Sequence, residues 1–461
     1  MERDFRLVRI AVVLITALAP VAAQEHRHPP AAVYACPMHP DIRSAGAGRC
    51  TRCGMALTAV APPAKPGLSL ATLEREALAH NPVLKQAAAS VRAAQGRTLQ
   101  AGLWPNPIIG ANGEHVAPVT GGGAIGGFVE QRIVTAGKLR LDRGVAREEQ
   151  RDMEAAAEAQ RLRVLTQLRL LFYQALGEQR LVEVRTDLAR LAERAVGISQ
   201  ELANVGQADR PDILAAEVEA QRVDLSLVEA RNALDRTLSQ LAATVNSPIL
   251  ELSRLEGDLE TIPKVDRGEA ESTLAGSPEL KSAQANIGRA ESALRRAEVD
   301  KIPDLFLRGG LRNNREFVDA GPPNPVRRVG VEGIFDVGIE IPLFNRNQGG
   351  VAAARANLDR AKLEIERTQL SLRTRLAAVY REYRDAEASV ERYRTRILPK
   401  AKEAYDLYLS NFQQMAAAYP QALIAQRNFF QAQDDYVRAL IHAWQSAVEV
   451  QGLLVTRQEM N

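Results

Sequence analysis

Two rhythms of apolar side chains organise the sequence. Leu181, Val184, Leu188, Leu191, Ala195, Ile198 and Leu202 recur at alternating steps of three and four, the heptad seam of helices packed side by side. Leu234, Leu238, Leu241 and Val245 repeat the seam on a second segment. Helical composition runs from Gly137 to about Val205 and again from Gln348 to about Phe412; at about 1.5 Å per residue, each stretch reaches ~100 Å. The other rhythm has period two. Leu305, Leu307 and Leu311 alternate with Phe306, Arg308 and Arg312, and Phe335, Val337, Ile339 and Ile341 alternate with Ile334, Asp336, Gly338 and Glu340. Segments of ~10 residues with one apolar and one mostly polar face suit strands of a transmembrane barrel, although solvent-exposed hairpins share the pattern. Pro107–Val116 and Ile125–Val134 show it more weakly.

The punctuation fits these elements. Residues 69–103 read as helix, stopped by Trp104-Pro105-Asn106-Pro107, because proline lacks a backbone donor and restricts its predecessor. The run Val205-Gly206-Gln207-Ala208-Asp209-Arg210-Pro211-Asp212 is a reversal, with glycine closing one helix and proline opening the next. The plan occurs twice. Pro82, Leu84, Lys85, Ala87, Ala89, Ala94, Ala101 and Pro107 return 196 positions later as Pro278, Leu280, Lys281, Ala283, Ala285, Ala290, Ala297 and Pro303. The offset grows to about 210 at Val129/Ile339 and Ile133/Leu343, placing about 14 extra residues in the second half, in a loop over Asn313 to Arg328. Each half is predicted to be a tall helical hairpin with two short strands.

Composition sharpens this. The first 23 residues carry Arg3, Arg6 and Arg9, an apolar run from Ile10 to Leu18, and Val21 and Ala23 before a cut, so they read as a secretory signal. Gln24 rather than Cys follows the cut, giving no sign of an N-terminal lipid. No later run offers ~20 apolar residues, so any membrane insertion must use strands. With 59 basic and 56 acidic residues, a formal charge of +3 and the signs interleaved, the helix faces are solvated and no nucleic-acid footprint is present. An enzyme is poorly supported: there are six histidines in all, and the sequence lacks a phosphate loop and a nucleophile elbow.

All three cysteines lie between residues 36 and 53. Cys36-x-x-His39 followed by Cys50-x-x-Cys53 can surround one metal tetrahedrally, and Met38 and Met55 add soft thioethers. Sulfur ligands select monovalent copper or silver, the favoured ions, while a three-cysteine, one-histidine set also suits zinc. The alternatives are an inert tether or a disulfide, Cys50–Cys53 or one containing Cys36, but a disulfide would strand one thiol. His26 and His28 lie in an extended tail. Ala61-Pro62-Pro63-Ala64-Lys65-Pro66-Gly67 reads as a semi-rigid linker. The expected divisions are a signal (1–23), a tail (24–33), a metal module (34–58), a linker (59–67) and two repeats (68–262 and 263–461).

Together these features resemble the TolC-like outer-membrane efflux proteins from about Leu68 to the C-terminus. The likeness is carried by Asn81-Pro82-Val83-Leu84, Thr135-Ala136-Gly137-Lys138, the reversal Val205-Gly206 with Asp212-Ile213-Leu214, and Ile341-Pro342-Leu343-Phe344-Asn345-Arg346-Asn347-Gln348-Gly349. The last of these is most similar to the heavy-metal branch. Residues 34–57 resemble small heavy-metal-binding modules, departing from them at Ala47-Gly48, where Pro-Gly is usual. The resemblance implies a mainly α fold with a small β part: a homotrimer whose four strands per chain complete a twelve-stranded barrel above a periplasmic helical tunnel. It also implies a passive metal-export duct in outer-membrane lipid, served by a periplasmic adaptor and an inner-membrane RND-type pump. Val205, Gly206, Asp209, Asp212 and Leu214 would form the adaptor-docking tip. There Asp209 and Asp212 would ring the mouth with acids, or Asp212 would simply cap a helix. Drug or protein export, or a periplasmic adaptor role, are the competing expectations.

Overall fold

The computed structural model describes residues 33–36, 38–39, 42–44, 48–60, 67–115, 123–206, 209–246, 254–319, 321–323, 326–413 and 419–452. The expected signal, the tail up to residue 32, most of the linker and residues 414–418 of the second reversal lie outside the described residues. The chain forms two compact units that part just ahead of Gly67.

In the first unit, β1 (Val33–Ala35) pairs antiparallel with both β2 (Arg43–Ser44) and β3 (Thr58–Val60). An isolated bridge joins Arg49 to Ala56. Its core is minimal: Cys36, Cys50 and Leu57, with Ile42 packed against them.

The second unit runs β4 (Leu68–Ser69), α1 (Leu70–His80), α2 (Pro82–Gln100), β5 (Ile108–Glu114), β6 (Ala124–Ile133), α3 (Lys138–Asn204) and α4 (Arg210–Val245). Next come β7 (Leu255–Glu256), α5 (Arg267–Leu274), α6 (Pro278–Val299), β8 (Leu305–Val318), β9 (Arg327–Ile339), α7 (Gln348–Arg392), a π-helical turn (Tyr393–Ile397), α8 (Leu398–Gln413) and α9 (Tyr419–Gln451). The helix expected over 69–103 is two helices. Asn81 leaves the helical conformation, its side chain accepts from the Val83 N–H at 2.8 Å, and Pro82 opens α2, a cap followed by proline at the first helical position. Ser277 and Pro278 do the same for α6. Both long helices start from a left-handed residue, Gly137 (φ 66°) before α3 and Asn347 (φ 59°) before α7, positions related by the offset of 210.

The core lies along α3, which packs against α2, α4, α6 and α9. Leu168 and Phe172 of α3 meet Leu73 and Ala77 of α1, Leu241 and Val245 of α4, and Leu255 of β7. The second half builds a parallel cluster from Leu274, Leu280, Leu372, Leu376 and Val450. The heptad seam departs from expectation. The buried line follows Leu181, Val184, Ala192, Ala195 and Ser199, while Ile198 is 43% exposed. A helix of 3.6 residues per turn drifts by about 20° per heptad from a strict 3.5-residue repeat, which moves the buried stripe one residue along.

The four longer strands form one antiparallel sheet in the order β5-β6-β8-β9, so the two halves join at the β6–β8 pair. The expected loop over Asn313 to Arg328 is shorter than predicted. β8 continues to Val318 and β9 begins at Arg327, with a register shift between Asn314 and Phe317. Most of the extra residues lengthen a hairpin, because ladder hydrogen bonds satisfy backbone groups that a loop would leave to water.

Register fixes the faces. Leu305, Leu307 and Leu311 share one face with Val337, Phe335 and Ile109, and Phe335 and Ile109 are 75% and 80% exposed. The opposite face carries Arg132, Glu130, Arg308, Asp336, Arg312, Glu332 and Glu114. There Arg312 donates to Glu332 at 2.6 Å and also to Glu114, and the Arg308 guanidinium lies 3.6 Å from the centre of the Phe128 ring. Among the described residues, β5 and β9 are each paired on one side only.

Candidate functional site

Tight turns assemble the cysteine cluster. His39 N–H donates to the Cys36 carbonyl (3.2 Å), and Cys36 N–H to Ile42 (3.3 Å). At the second pair, Cys50 N–H donates to Met55 and Gly54 N–H to Cys50, both at 2.8 Å, and Gly54 takes φ 74°, which only glycine adopts without strain. The donor atoms of Cys36, His39, Cys50 and Cys53 consequently lie within 4.8 Å of one another. Cys36 Sγ and Cys53 Sγ are 3.4 Å apart, and His39 Nδ1 is 4.0 Å from Cys36 Sγ and 3.8 Å from Cys50 Sγ. Two thiolates on one tetrahedral zinc-sized ion, at ~2.3 Å from it, sit about 3.8 Å apart, so the donor set fits a four-coordinate ion with small adjustments. All three cysteines are free.

Exposure within the cluster is uneven. Cys36 and Cys50 are 2% and 3% exposed, Cys53 is exposed, and Met38 and Met55 are 69% and 42% exposed. Loss of hydration pushes the Cys50 thiol up, but the backbone N–H groups of Arg52 and Cys53 and the neighbouring thiols outweigh it and bring it down to about 6. The Cys53 thiol is raised: the Met55 backbone favours its thiolate, and the Cys36 and Cys50 thiols together with partial burial oppose it more strongly. Sharing of negative charge in this way is what a cation relieves.

The Thr135-Ala136-Gly137-Lys138 run sits where the sheet meets α3. Lys138 Nζ reaches the Ile302 carbonyl at 2.6 Å and Asp304 at 2.9 Å, and Arg132 contacts the other oxygen of Asp304 at 2.6 Å. Burial opposes the Asp304 charge, but Lys138 and Arg132 outweigh it and hold the carboxyl at about 2.

At the first reversal Val205 is 69% and Leu214 50% exposed, and Gly206 takes φ 73° in open space. Asp209 is the N-cap of α4, and Asp212 Oδ2 accepts from its backbone N–H at 3.3 Å. Both acids therefore serve the helix start, and Asp212 is half of a capping box. A further feature escaped the sequence reading. A cleft of about 1030 Å³ between α3, α4 and α9 is lined by Gln160, Gln167 and Gln174 with Glu178, Arg438 and His442. One Glu178 oxygen accepts from Gln174, and the other has no partner among the described residues. The seven-residue spacing of the three glutamines was the available signal.

A mainly helical chain, duplicated around one four-stranded two-faced sheet and carrying a thiol-rich module, defines a class: duplicated helical-hairpin proteins built on a single sheet, with an appended cysteine-rich module. The family model described as outer membrane efflux protein matches residues 73–247 and 270–454, and the one described as heavy metal binding domain matches residues 33–60. The chain belongs to the outer membrane efflux protein family. It is 25% identical to the cobalt-zinc-cadmium resistance protein CzcC of Cupriavidus metallidurans over 61% of this chain and 65% of that protein, so the match spans just under two thirds of that relative. It is 28% identical to the nickel-cobalt-cadmium resistance protein NccC of Alcaligenes xylosoxydans xylosoxydans, over 66% and 70% respectively. Among solved structures, CusC superposes with a TM-score of 0.72 at 15% identity, covering 84% of this chain and 91% of that one. The outer membrane protein VceC of Vibrio cholerae gives 0.69 at 19%, covering 84% and 96%; these likenesses concern the fold.

Proposed function

We propose that this chain is the outer-membrane channel subunit of a heavy-metal efflux system, a passive duct rather than an enzyme. The carrying observation is the two-faced sheet with unpaired edges. Its exposed apolar face fits lipid, its charged face fits a water-filled lumen, and edges in lipid must be paired because no water is there to satisfy them. Three copies, each lending four strands, would close a twelve-stranded barrel through identical edge-to-edge contacts. The polar cleft, with its glutamines beside Glu178 and Arg438, then suits a water-facing wall of the helical tunnel.

The named metal-resistance relatives support metal ions as the cargo, and Cys36, His39, Cys50 and Cys53 would hold one soft ion, monovalent copper or silver before zinc. Met38 and Met55 stand outside that set of four as accessory thioethers. The tip, with Val205, Gly206, Asp209, Asp212 and Leu214, would meet a periplasmic adaptor linked to an inner-membrane pump. The test is growth and intracellular metal content of a deletion strain across copper, silver, zinc, cobalt, nickel and cadmium. Wild-type tolerance to all six, with no change in metal content, would sink the proposal.

A further inference from the structure

The four donors of the metal module differ sharply in access. Cys36 and Cys50 are sealed in the core with Leu57, whereas Cys53 is exposed and His39 half-buried. Structural zinc sites are closed by their ligands and surrounding residues; this one is open on a thiol. Beside the opening in sequence stand two methionines, Met38 next to His39 and Met55 two residues after Cys53, both exposed. Exposed methionine is costly to hydrate and lies outside the small core of Cys36, Cys50 and Leu57, yet a thioether binds soft monovalent ions without needing to lose a proton.

We propose that the module is a metal-exchange site in which Cys53 is the leaving ligand, Cys36 and Cys50 are the retaining ligands, and Met38 and Met55 receive the ion on its way to a thiol- or thioether-bearing acceptor. This rests on the reading of the cluster as a soft-metal site and adds a direction of traffic to it. The ion is cargo, and its oxidation state does not change. An incoming sulfur lone pair forms the new bond to the metal and the bond to Cys53 breaks with its electron pair left on Sγ; that thiolate takes its proton from water when the incoming sulfur is a thioether, and from the acceptor when it is a thiol. Retention by two shielded thiols keeps the ion from escaping before the acceptor is engaged.

The experiment uses the full-length protein in detergent, with silver ion as a redox-inert probe, glutathione as acceptor and iodoacetamide labelling read by mass spectrometry. Without metal, and at a pH high enough to ionise all three thiols so that access alone decides, Cys53 is expected to label at least tenfold faster than Cys36 and Cys50. With one silver bound, Cys36 and Cys50 should be protected while Cys53 stays only a few-fold slower than before. The Met38→Ile/Met55→Ile variant should keep silver stoichiometry yet pass the ion to glutathione about tenfold more slowly. Equal protection of all three cysteines, or wild-type transfer by the double variant, overturns the exchange role while leaving a metal site. A wild-type chain that retains no silver overturns the soft-metal reading itself, and the exchange role with it.

Discussion

At the scale of single residues, Asp304 illustrates how charge can be buried safely. Its carboxylate is matched by Lys138, whose side chain is only 6% exposed, so removing either partner leaves an uncompensated charge in the junction. Asp304→Asn should destabilise the protein by about 3–5 kcal/mol, whereas Asp304→Leu with Lys138→Met should cost far less; thermal unfolding in detergent decides between them. Because the folded carboxyl is held at about 2, below its usual 3.8, its contribution is complete above pH 4 and disappears as pH falls toward 2. The wild-type thermal midpoint should drop over that window, and the double variant's should drop less. The metal module titrates higher. Metal ligands must be deprotonated, and the raised Cys53 thiol competes throughout the neutral range while Cys50 joins it near 6, so silver affinity followed from pH 8 to 5 should fall throughout and more steeply below 6. Affinity unchanged at pH 5 would contradict that assignment.

At the scale of elements, helix approach is set at one point. A Cβ at Gly177 would lie 2.2 Å from Ile441 Cγ1, so the α3–α9 crossing requires glycine on one side and a stiff, branched side chain on the other. Gly177→Ala should cost roughly 1–3 kcal/mol, with part recovered by Ile441→Ala, which removes the clashing Cγ1 and Cδ1 and whose coupling a double-mutant cycle would measure. Elements of this kind were unevenly legible. The hairpins, the strands and the cysteine spacing were readable because period and ligand type are local properties. The break at Asn81-Pro82 was also local, written as a cap followed by proline, yet a continuous helical composition hid it. Ile198 was misread because an ideal heptad presumes supercoiling, which depends on neighbours. The lengthened β8–β9 hairpin looked like a loop because glycine, proline and asparagine cluster at its turn. The Glu178 cleft needs three helices to exist, so the glutamine repeat at 160, 167 and 174 along one of them marks a polar stripe but not the cleft that it lines.

At the scale of the whole molecule, the proposed trimer sets two expectations. The detergent-extracted protein should run as a trimer, and a charged residue on the apolar sheet face, as in Phe335→Lys, should reduce its yield in the outer-membrane fraction, where lysine at mid-bilayer costs roughly 2–4 kcal/mol. Replacing Asp209 and Asp212 together with Asn should leave trimer levels near normal but lower metal resistance and cation preference in single-channel recordings. If both stay at wild-type values, the acids serve only to start α4. The sheet also constrains time. Its central pair unites β6 with β8, so that Arg132 finds Asp304 across 172 residues, and every such pairing must wait for a long loop to close. On folding, the first half can pair β5 with β6 by itself but leaves β6 an open edge until β8 is delivered. For an exported chain that interval is set by how soon residues 134 to 304 arrive in the folding compartment, and it is the interval in which that edge can find the wrong strand.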